Sequence, residues 1–216
     1  MLNLHVRPAL ARVLTPIGRG LARTGISPDA ITLVGTLGVV VGAFIFYPRG
    51  QLFVGTLVIT AFVFSDMLDG ALARARGRSS QWGAFLDSTL DRIADASIFG
   101  ALVLWFADGG DAPMLAALAL FCLIAGVVVS YAKARAEGVG LSCDVGIAER
   151  PERLIVVLAS TGLGGLGVPY ALTVGLWVLA VASAVTLAQR VLEVRRQTRE
   201  PDGSAEEPRP KAGHRP

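Results

Sequence analysis

The sequence predicts an all-α, polytopic membrane protein with six transmembrane helices and an N-terminal amphipathic helix beside the membrane. Of its 216 residues, 53% are hydrophobic and only 17% are charged, whereas roughly a quarter of the residues in a soluble domain are charged. The apolar residues form six runs, and most of them reach the roughly 20 residues that a helix needs to cross the hydrocarbon. None of the runs alternates apolar and polar residues with a period of two, which argues against a membrane β-barrel.

The six apolar runs fill most of the chain between residues 29 and 194. Before the first run, Ser27 or Asp29 is a candidate helix cap, with Pro28 in the first turn. The fifth run is the weakest candidate, because several glycines crowd its end. The predicted helices cover 29–47, 52–74, 82–106, 113–134, 153–168 and 170–194.

We place the membrane domain at residues 1–196, and its first 24 residues and the tail that follows it differ from the apolar runs between them. Residues 1–24 mix apolar and basic side chains at near-helical spacing, as in an amphipathic helix lying among anionic lipid headgroups. They lack the apolar run and cleavage site of a removable signal peptide. Residues 197–216 are rich in Pro, Glu, Arg and Gly, which predicts a disordered tail.

Cys122 and Cys143 have no spacing typical of a disulfide or metal site.

The positions of Lys and Arg predict the orientation in the membrane. Basic residues lie in the N-terminal segment, the loops at 75–81 and 135–152, and the C-terminal tail, whereas the alternate connections together hold only Arg49. Cytoplasmic loops carry the excess of Lys and Arg, so both termini and the 75–81 loop should be cytoplasmic. The net charge of +3 therefore fits a multi-pass protein of the cell membrane and its anionic lipid, and we expect no nucleic-acid partner.

Four aspartates lie inside or at the mouth of the second and third predicted helices: Asp66, Asp69, Asp87 and Asp91. Ionisable groups at such depth are costly and by default suggest function. The members of each pair are three or four residues apart and share a helix face, and the short 75–81 loop makes the two helices antiparallel neighbours. Four converging carboxylates repel one another unless cations offset their charge. An all-oxygen cluster favours Mg²⁺ or Mn²⁺ over Zn²⁺.

Small residues lie beside this carboxylate cluster. Gly70, Ala73 and Gly83 leave room for a bulky polyphosphate to approach the backbone and the metals. Arg74, at the end of the second helix, is suited to clamp a phosphate.

Two other interpretations of the aspartates remain open at this point. They could form buried salt bridges with Arg74 and Arg92, or they could line a cation or proton path, as in a transporter. Asp95, one turn beyond Asp91, either extends the cluster or pairs with Arg92.

These residues fit the pattern D-x2-D-G-x2-A-R-x8-G-x3-D-x3-D, and the chain fills every fixed position from Asp66 to Asp91. The pattern resembles the signature of the CDP-alcohol phosphotransferase family, whose members transfer the phosphatidyl or related group of a CDP-linked lipid onto an alcohol and release CMP. The resemblance implies a homodimer with two divalent metals, Mg²⁺ or alternatively Mn²⁺, bridging the diphosphate. It assigns them to Asp66, Asp69, Asp87 and Asp91, and makes Asp91 the candidate general base for the acceptor hydroxyl.

The same resemblance implies which residues bind the donor, CDP-diacylglycerol. Gly70, Arg74 and Ser80 would contact the CDP part, and the turn at 29–32 resembles the family's other nucleotide-side element. The implied donor-binding residues are Asp29, Ala30, Ile31, Thr32, Gly70, Arg74 and Ser80.

Five basic residues are candidates for binding the acceptor: Lys133, Arg135, Arg150, Arg153 and Arg195. Cations around a cytoplasmic cavity would favour a phosphorylated alcohol over a neutral one, although each could also be ordinary positive-inside charge. Lys133 and Arg153 lie nearest the membrane ends of their helices and are the favoured pair.

Within the family, the runs at 24–29 and 148–153 most resemble the actinobacterial phosphatidylinositol phosphate synthases, whose acceptor is 1D-myo-inositol 3-phosphate. Phosphatidylglycerol phosphate synthases, which use glycerol 3-phosphate, are the runner-up, because the aspartate motif does not separate the two. The alternative of a different class is a divalent-cation transporter built on the same carboxylates.

Overall fold

The computed structural model describes residues 27–75 and 81–199, with the side chains of residue 28 and of 65–75 left out. Within these ranges the chain forms helices and no strands, which confirms the all-α fold. A 3-10 turn, Tyr47–Arg49, follows the first helix. The helices described are α1 (Pro28–Phe46), α2 (Leu52–Ala75), α3 (Gln81–Ala107), α4 (Pro113–Gly138), α5 (Arg150–Gly165) and α6 (Ala171–Gln197).

Three of the described helices are long and apolar enough to cross a membrane by length and composition: Asp29–Arg49, Pro113–Gly138 and Ala171–Gln197. A shorter apolar stretch covers Leu52–Phe64. Charged residues lie in the first half of α3 and the first turn of α5, and α5 has only 16 residues. Six crossings therefore remain a prediction. The predicted amphipathic helix at 1–24 and residues 200–216 of the predicted tail lie outside the described residues.

Two contacts show which helix ends lie together in the bundle. At the start of α3, Trp82 Nε1 donates a hydrogen bond to Asp29 Oδ2 at the start of α1, at 3.2 Å. Near the end of α6, Arg190 Nη1 donates to the carbonyl oxygen of Val129 near the end of α4, at 2.6 Å. The starts of α1 and α3 and the ends of α4 and α6 belong to the side that the loop charges predict to be cytoplasmic.

One hydrophobic core joins the helices. Helix α1 packs against α2 and α3, α4 packs against α3 and α6, and α5 packs against α2 and α6. Ile59, Ile98, Val157 and Leu176 are fully buried and come from four different helices. Because these side chains are packed from several directions, the helices hold one another in fixed positions.

The connection between α4 and α5 is shorter than the sequence predicted. We expected a loop at 135–152 that contained Arg135 and Arg150, but α4 continues to Gly138 and α5 begins at Arg150. Pro151 explains the early start of α5, because proline is well suited to the first turn of a helix. Both arginines are therefore held on helices.

Helix α6 anchors this connection. The Thr186 hydroxyl oxygen accepts hydrogen bonds from the backbone N–H groups of Ile147, at 3.1 Å, and Ala148, at 2.9 Å. The side chain of Gln197 donates to the Ser142 carbonyl oxygen, at 2.7 Å, and accepts from the Ser142 N–H, at 3.2 Å. These bonds fix the segment leading into α5, and so the place at which its first residues enter the bundle.

The close crossing of α5 and α2 provides a test of this packing. A Cβ at Gly165 would lie 2.3 Å from the backbone nitrogen of Phe53, whereas one at Gly164 would lie 3.4 Å from the Leu172 side chain. We expect Gly165→Ala to destabilise the protein by about 1–3 kcal/mol, because overpacked backbone must move apart. The measurement is thermal unfolding in detergent. Gly164→Ala is the control, and equal losses of stability in the two variants would contradict the crossing.

Candidate active site

Three aspartates form a stripe along the first half of α3. Asp87, Asp91 and Asp95 follow one another at intervals of four residues, which places them one above the other on the same helix face. Asp87 is exposed, Asp91 is half-buried, and Asp95 retains only 7% of its accessible surface. The stripe therefore leads from the surface into the interior, and each carboxylate has a different environment.

Two arginines from α5 meet this stripe. Arg150 Nη1 lies 2.8 Å from Asp91 Oδ1, and Arg150 Nε lies 3.3 Å from Asp95 Oδ1. Arg153 Nη2 lies 3.4 Å from Asp95 Oδ2. Arg92, by contrast, pairs with Asp91, at 3.7 Å. The question that the sequence left open at Asp95 is therefore answered by α5, and we call Asp91, Arg150, Asp95 and Arg153 the α3–α5 charge network.

Arg153 is the most deeply placed cation of this network, with 3% of its surface accessible. Its Nη1 donates a hydrogen bond to the carbonyl oxygen of Ala148, at 3.1 Å. Gly126 of α4 leaves the space for its guanidinium group, since a Cβ there would lie 3.3 Å from Arg153 Nε. A buried guanidinium is tolerated where acceptors and an opposite charge surround it, and Asp95 and Ala148 supply them.

The structure describes the side chains of two of the four aspartates in the predicted metal site. Asp87 and Asp91 lie on the α3 stripe, and Asp87 makes none of the ion pairs found in the described part of the chain. The other two belong to α2, which carries Asp66, Asp69, Gly70 and Arg74 in a stretch whose side chains are not described. Ser80 lies entirely outside the described residues. Within the described part of the chain, no group of three or more Asp, Glu, His or Cys could hold a metal. That the two pairs of aspartates meet stays a prediction.

The predicted nucleotide-side element, 29–32, is the first turn of α1 rather than a separate turn. The Ser27 hydroxyl caps the helix by accepting a hydrogen bond from the Ala30 N–H, at 3.2 Å, which confirms one of the two candidate caps. The Asp29 carboxylate accepts the hydrogen bond from Trp82, and Thr32 is buried. Sequence reasoning missed Trp82, because an aromatic residue at the start of an apolar run carries no signal of its own.

The five candidate acceptor-binding cations lie in three different environments. Arg150 and Arg153 belong to the charge network inside the bundle, whereas Arg135 and Arg195 are exposed at the ends of α4 and α6. Lys133 is half-buried and forms ion pairs with Asp144 and, at 3.8 Å, with Glu137.

Asp144 lies in the connection before α5, fully at the surface. The hydrogen bond that it receives from Lys133 holds the pKa of this carboxyl below its usual value. Lys133 is therefore presented to solvent already bound to a carboxylate, which competes with any anionic ligand of Lys133.

Arg190 is a buried cation that the sequence analysis did not single out. Its exposed fraction is 4%, and it donates hydrogen bonds to the carbonyl oxygens of Val145, at 3.0 Å, and Val129, at 2.6 Å. Its position within the apolar run at 170–194 was the sequence signal that could have identified it. Arg190 joins α6 to α4 and to the segment before α5, on the same side as the charge network.

Sequence comparison identifies the family. The model of the CDP-alcohol phosphatidyltransferase family matches residues 25–188. The chain is 54% identical over 211 residues to the phosphatidylinositol phosphate synthase of Streptomyces avermitilis, a match that covers 94% of this chain and 86% of that protein. It is 48% identical over 195 residues to that of Mycolicibacterium smegmatis, covering 89% of this chain and 88% of the other.

Solved structures show the same fold. The phosphatidylinositol phosphate synthase of Mycobacterium tuberculosis with CDP-DAG bound superposes with a TM-score of 0.81 at 48% identity, over 85% of this chain and 94% of that one. Its complex with manganese and citrate gives a TM-score of 0.81 at 48% identity, over 84% and 88% of the two chains. The family resemblance of the aspartate motif is thereby confirmed: this chain belongs to the CDP-alcohol phosphatidyltransferase family, and it is a transferase of phospholipid biosynthesis.

Proposed function

We propose that this chain transfers the phosphatidyl group of CDP-diacylglycerol to 1D-myo-inositol 3-phosphate, giving phosphatidylinositol phosphate and CMP. The observation that carries the proposal is its 54% identity, over nearly the whole of both chains, to a phosphatidylinositol phosphate synthase. The geometry supports it by placing carboxylates and cations at the same side of the bundle, where donor and phosphorylated acceptor can meet.

The donor set of the α3 stripe fits hard divalent cations. Asp87 and Asp91 offer carboxylate oxygens at the accessible end of the stripe, and no thiol or imidazole accompanies them on α3. With Asp66 and Asp69 of α2 they would hold two Mg²⁺ ions, with Mn²⁺ as a substitute. When bound, such metals would polarise the diphosphate and stabilise charge on the departing CMP.

Asp91 is the residue that we assign as general base. The acceptor hydroxyl oxygen forms the new bond to the phosphatidyl phosphorus, the bond from that phosphorus to the CMP oxygen breaks, and the hydroxyl proton passes to a carboxylate. Asp91 suits this role because it lies between exposed Asp87 and buried Asp95, with 15% of its side chain accessible. Arg150 holds one of its oxygens by an ion pair at 2.8 Å, which would fix the orientation of the carboxylate.

The donor would be bound at the side formed by α1 and α2. We assign its CDP part to the first turn of α1, where Asp29, Ala30, Ile31 and Thr32 lie, and to Gly70, Arg74 and Ser80. Trp82 bonds to Asp29 and so ties this turn to the start of α3. The acyl chains would lie in the surrounding lipid.

The acceptor phosphate would be bound by cations from α4, α5 and α6: Lys133, Arg135, Arg150, Arg153 and Arg195, which lie near the helix ends at that side. Lys133 and Arg153 remain the favoured pair, and Lys133 is the more accessible of the two. The excess of basic residues there supports an active site that faces the cytoplasm from a multi-pass protein of the cell membrane, and we propose a homodimer by analogy with the family.

A panel of acceptors tests the proposed reaction. Purified protein is incubated with CDP-diacylglycerol and Mg²⁺, with inositol 3-phosphate, inositol or glycerol 3-phosphate added separately. We expect CMP and labelled lipid only with inositol 3-phosphate, and none after chelation of the metal. Product from glycerol 3-phosphate alone would overturn the acceptor assignment, and the absence of CMP with every acceptor would overturn the reaction. Nucleotide-independent Mg²⁺ flux in proteoliposomes would instead favour transport.

The ion pair of Lys133 gives a second prediction. If Lys133 binds the acceptor phosphate, Asp144 competes with that phosphate for it, and Asp144→Asn should lower the acceptor KM a few-fold with little change in kcat. Steady-state kinetics at varied inositol 3-phosphate measure this. Asp108→Asn removes an exposed carboxylate outside this side of the bundle and should leave KM unchanged. An unchanged or higher KM in Asp144→Asn would show that Lys133 does not bind the phosphate.

A further inference from the structure

We propose that Asp95, which lies outside the aspartate motif, is a positioning residue of the transferase. It fixes the guanidinium groups of Arg150 and Arg153 and, through Arg150, the orientation of the Asp91 carboxylate. The inference rests on the proposed function, because it concerns how the base and the acceptor-side cations of that reaction are held.

The two oxygens of Asp95 are divided between the two arginines. Oδ1 is 3.3 Å from Arg150 Nε, and Oδ2 is 3.4 Å from Arg153 Nη2. Arg150 in turn reaches Asp91 with a different nitrogen, Nη1, at 2.8 Å. Because the guanidinium donors form a rigid planar fork, holding Nε at Asp95 determines where Nη1 can meet Asp91.

The depth of Asp95 and the partners of its two oxygens argue against a direct role in the reaction. It lies one helical turn deeper than Asp91, which is about 6 Å along the helix axis, and only 7% of its surface is accessible. Both of its oxygens already have partners on α5. Asp95 therefore acts on the acceptor hydroxyl and phosphate only through other side chains.

Asp95 also limits how strongly Arg150 engages the proposed base. With Asp95 present, Arg150 divides its donors between two carboxylates. Without that charge, the whole guanidinium is available to Asp91, where a bidentate pair would occupy the oxygens that must accept a proton. Arg153 would at the same time lose the carboxylate that neutralises it in the interior.

The test is the kinetics of Asp95→Asn, which keeps the size of the side chain and removes its charge. We expect kcat to fall about 10- to 100-fold, as is typical when a residue that orients an active-site group is replaced, together with a raised acceptor KM. Binding of CDP-diacylglycerol, measured without turnover, should be unchanged, because the donor-side residues lie on α1 and α2. A purely structural role would reduce the amount of folded enzyme and leave both KM values as they were.

Ser97→Ala is the matched control. Ser97 is a buried polar residue on the same helix, and its hydroxyl donates only to the Ile93 carbonyl oxygen within that helix. This variant should keep the wild-type kcat and both KM values. Wild-type kinetics in Asp95→Asn would overturn the inference while leaving the proposed reaction in place; a wild-type protein that releases no CMP would overturn the reaction itself.

A double-variant cycle separates positioning from loss of folding. Since Asp95 is proposed to act through Arg153 as well as Arg150, the effects of Asp95→Asn and Arg153→Gln on kcat/KM should be strongly non-additive. The double variant also removes one charge of each sign, so it serves if Asp95→Asn alone does not fold. Additive effects, or wild-type kcat and acceptor KM in the double variant, would overturn the inference.

Discussion

A guanidinium inside a helical bundle must be neutralised where it lies, and the burial of Arg153 is the constraint on which this site depends. Removing one partner of a buried pair typically costs 3–5 kcal/mol, so the surroundings of Arg153 are matched to it. Gly126 of α4 leaves room for its side chain, Ala148 offers a carbonyl oxygen, and Asp95 offers the charge. The same segment is held by Thr186 of α6. Four helices thus contribute to holding this cation and the segment before it, which fixes where α5 enters the bundle.

The α3–α5 charge network extends from buried Arg153 toward the proposed general base, Asp91. Arg150, less than one turn before Arg153, lies between Asp95 and Asp91 and joins the interior to the proposed base. The three aspartates of α3 share a residue type and a helix face but differ in environment. Buried Asp95 pairs with two arginines, whereas we propose that half-buried Asp91 accepts the proton and that exposed Asp87 binds a metal. A gradient of burial along one helix therefore gives identical side chains different roles.

The sequence predicted the all-α fold, the six helices and the aspartate stripe, because hydropathy and helical spacing are local properties. It did not predict the partners of Asp95. Arg92 is three residues away in the chain, whereas Arg150 and Arg153 are more than fifty away, and only tertiary packing brings them to the stripe. The predicted loop at 135–152 was also too long. The charges of Arg135 and Arg150 were interpreted as the ends of the flanking helices, although both residues are helical. Arg190 and Trp82 were missed for the same reason: their roles depend on residues distant in sequence.

In the proposed reaction, Asp91 is the carboxylate that accepts the proton of the acceptor hydroxyl while Arg150 holds its orientation. The most direct measurement is CMP release by purified Asp91→Asn with CDP-diacylglycerol, inositol 3-phosphate and Mg²⁺, with thermal unfolding recorded on the same sample. We expect a folded protein whose kcat is lower by at least about 100-fold, the lower end of what a positioned general base contributes. Near wild-type turnover by a folded Asp91→Asn protein would contradict the role of Asp91 as general base.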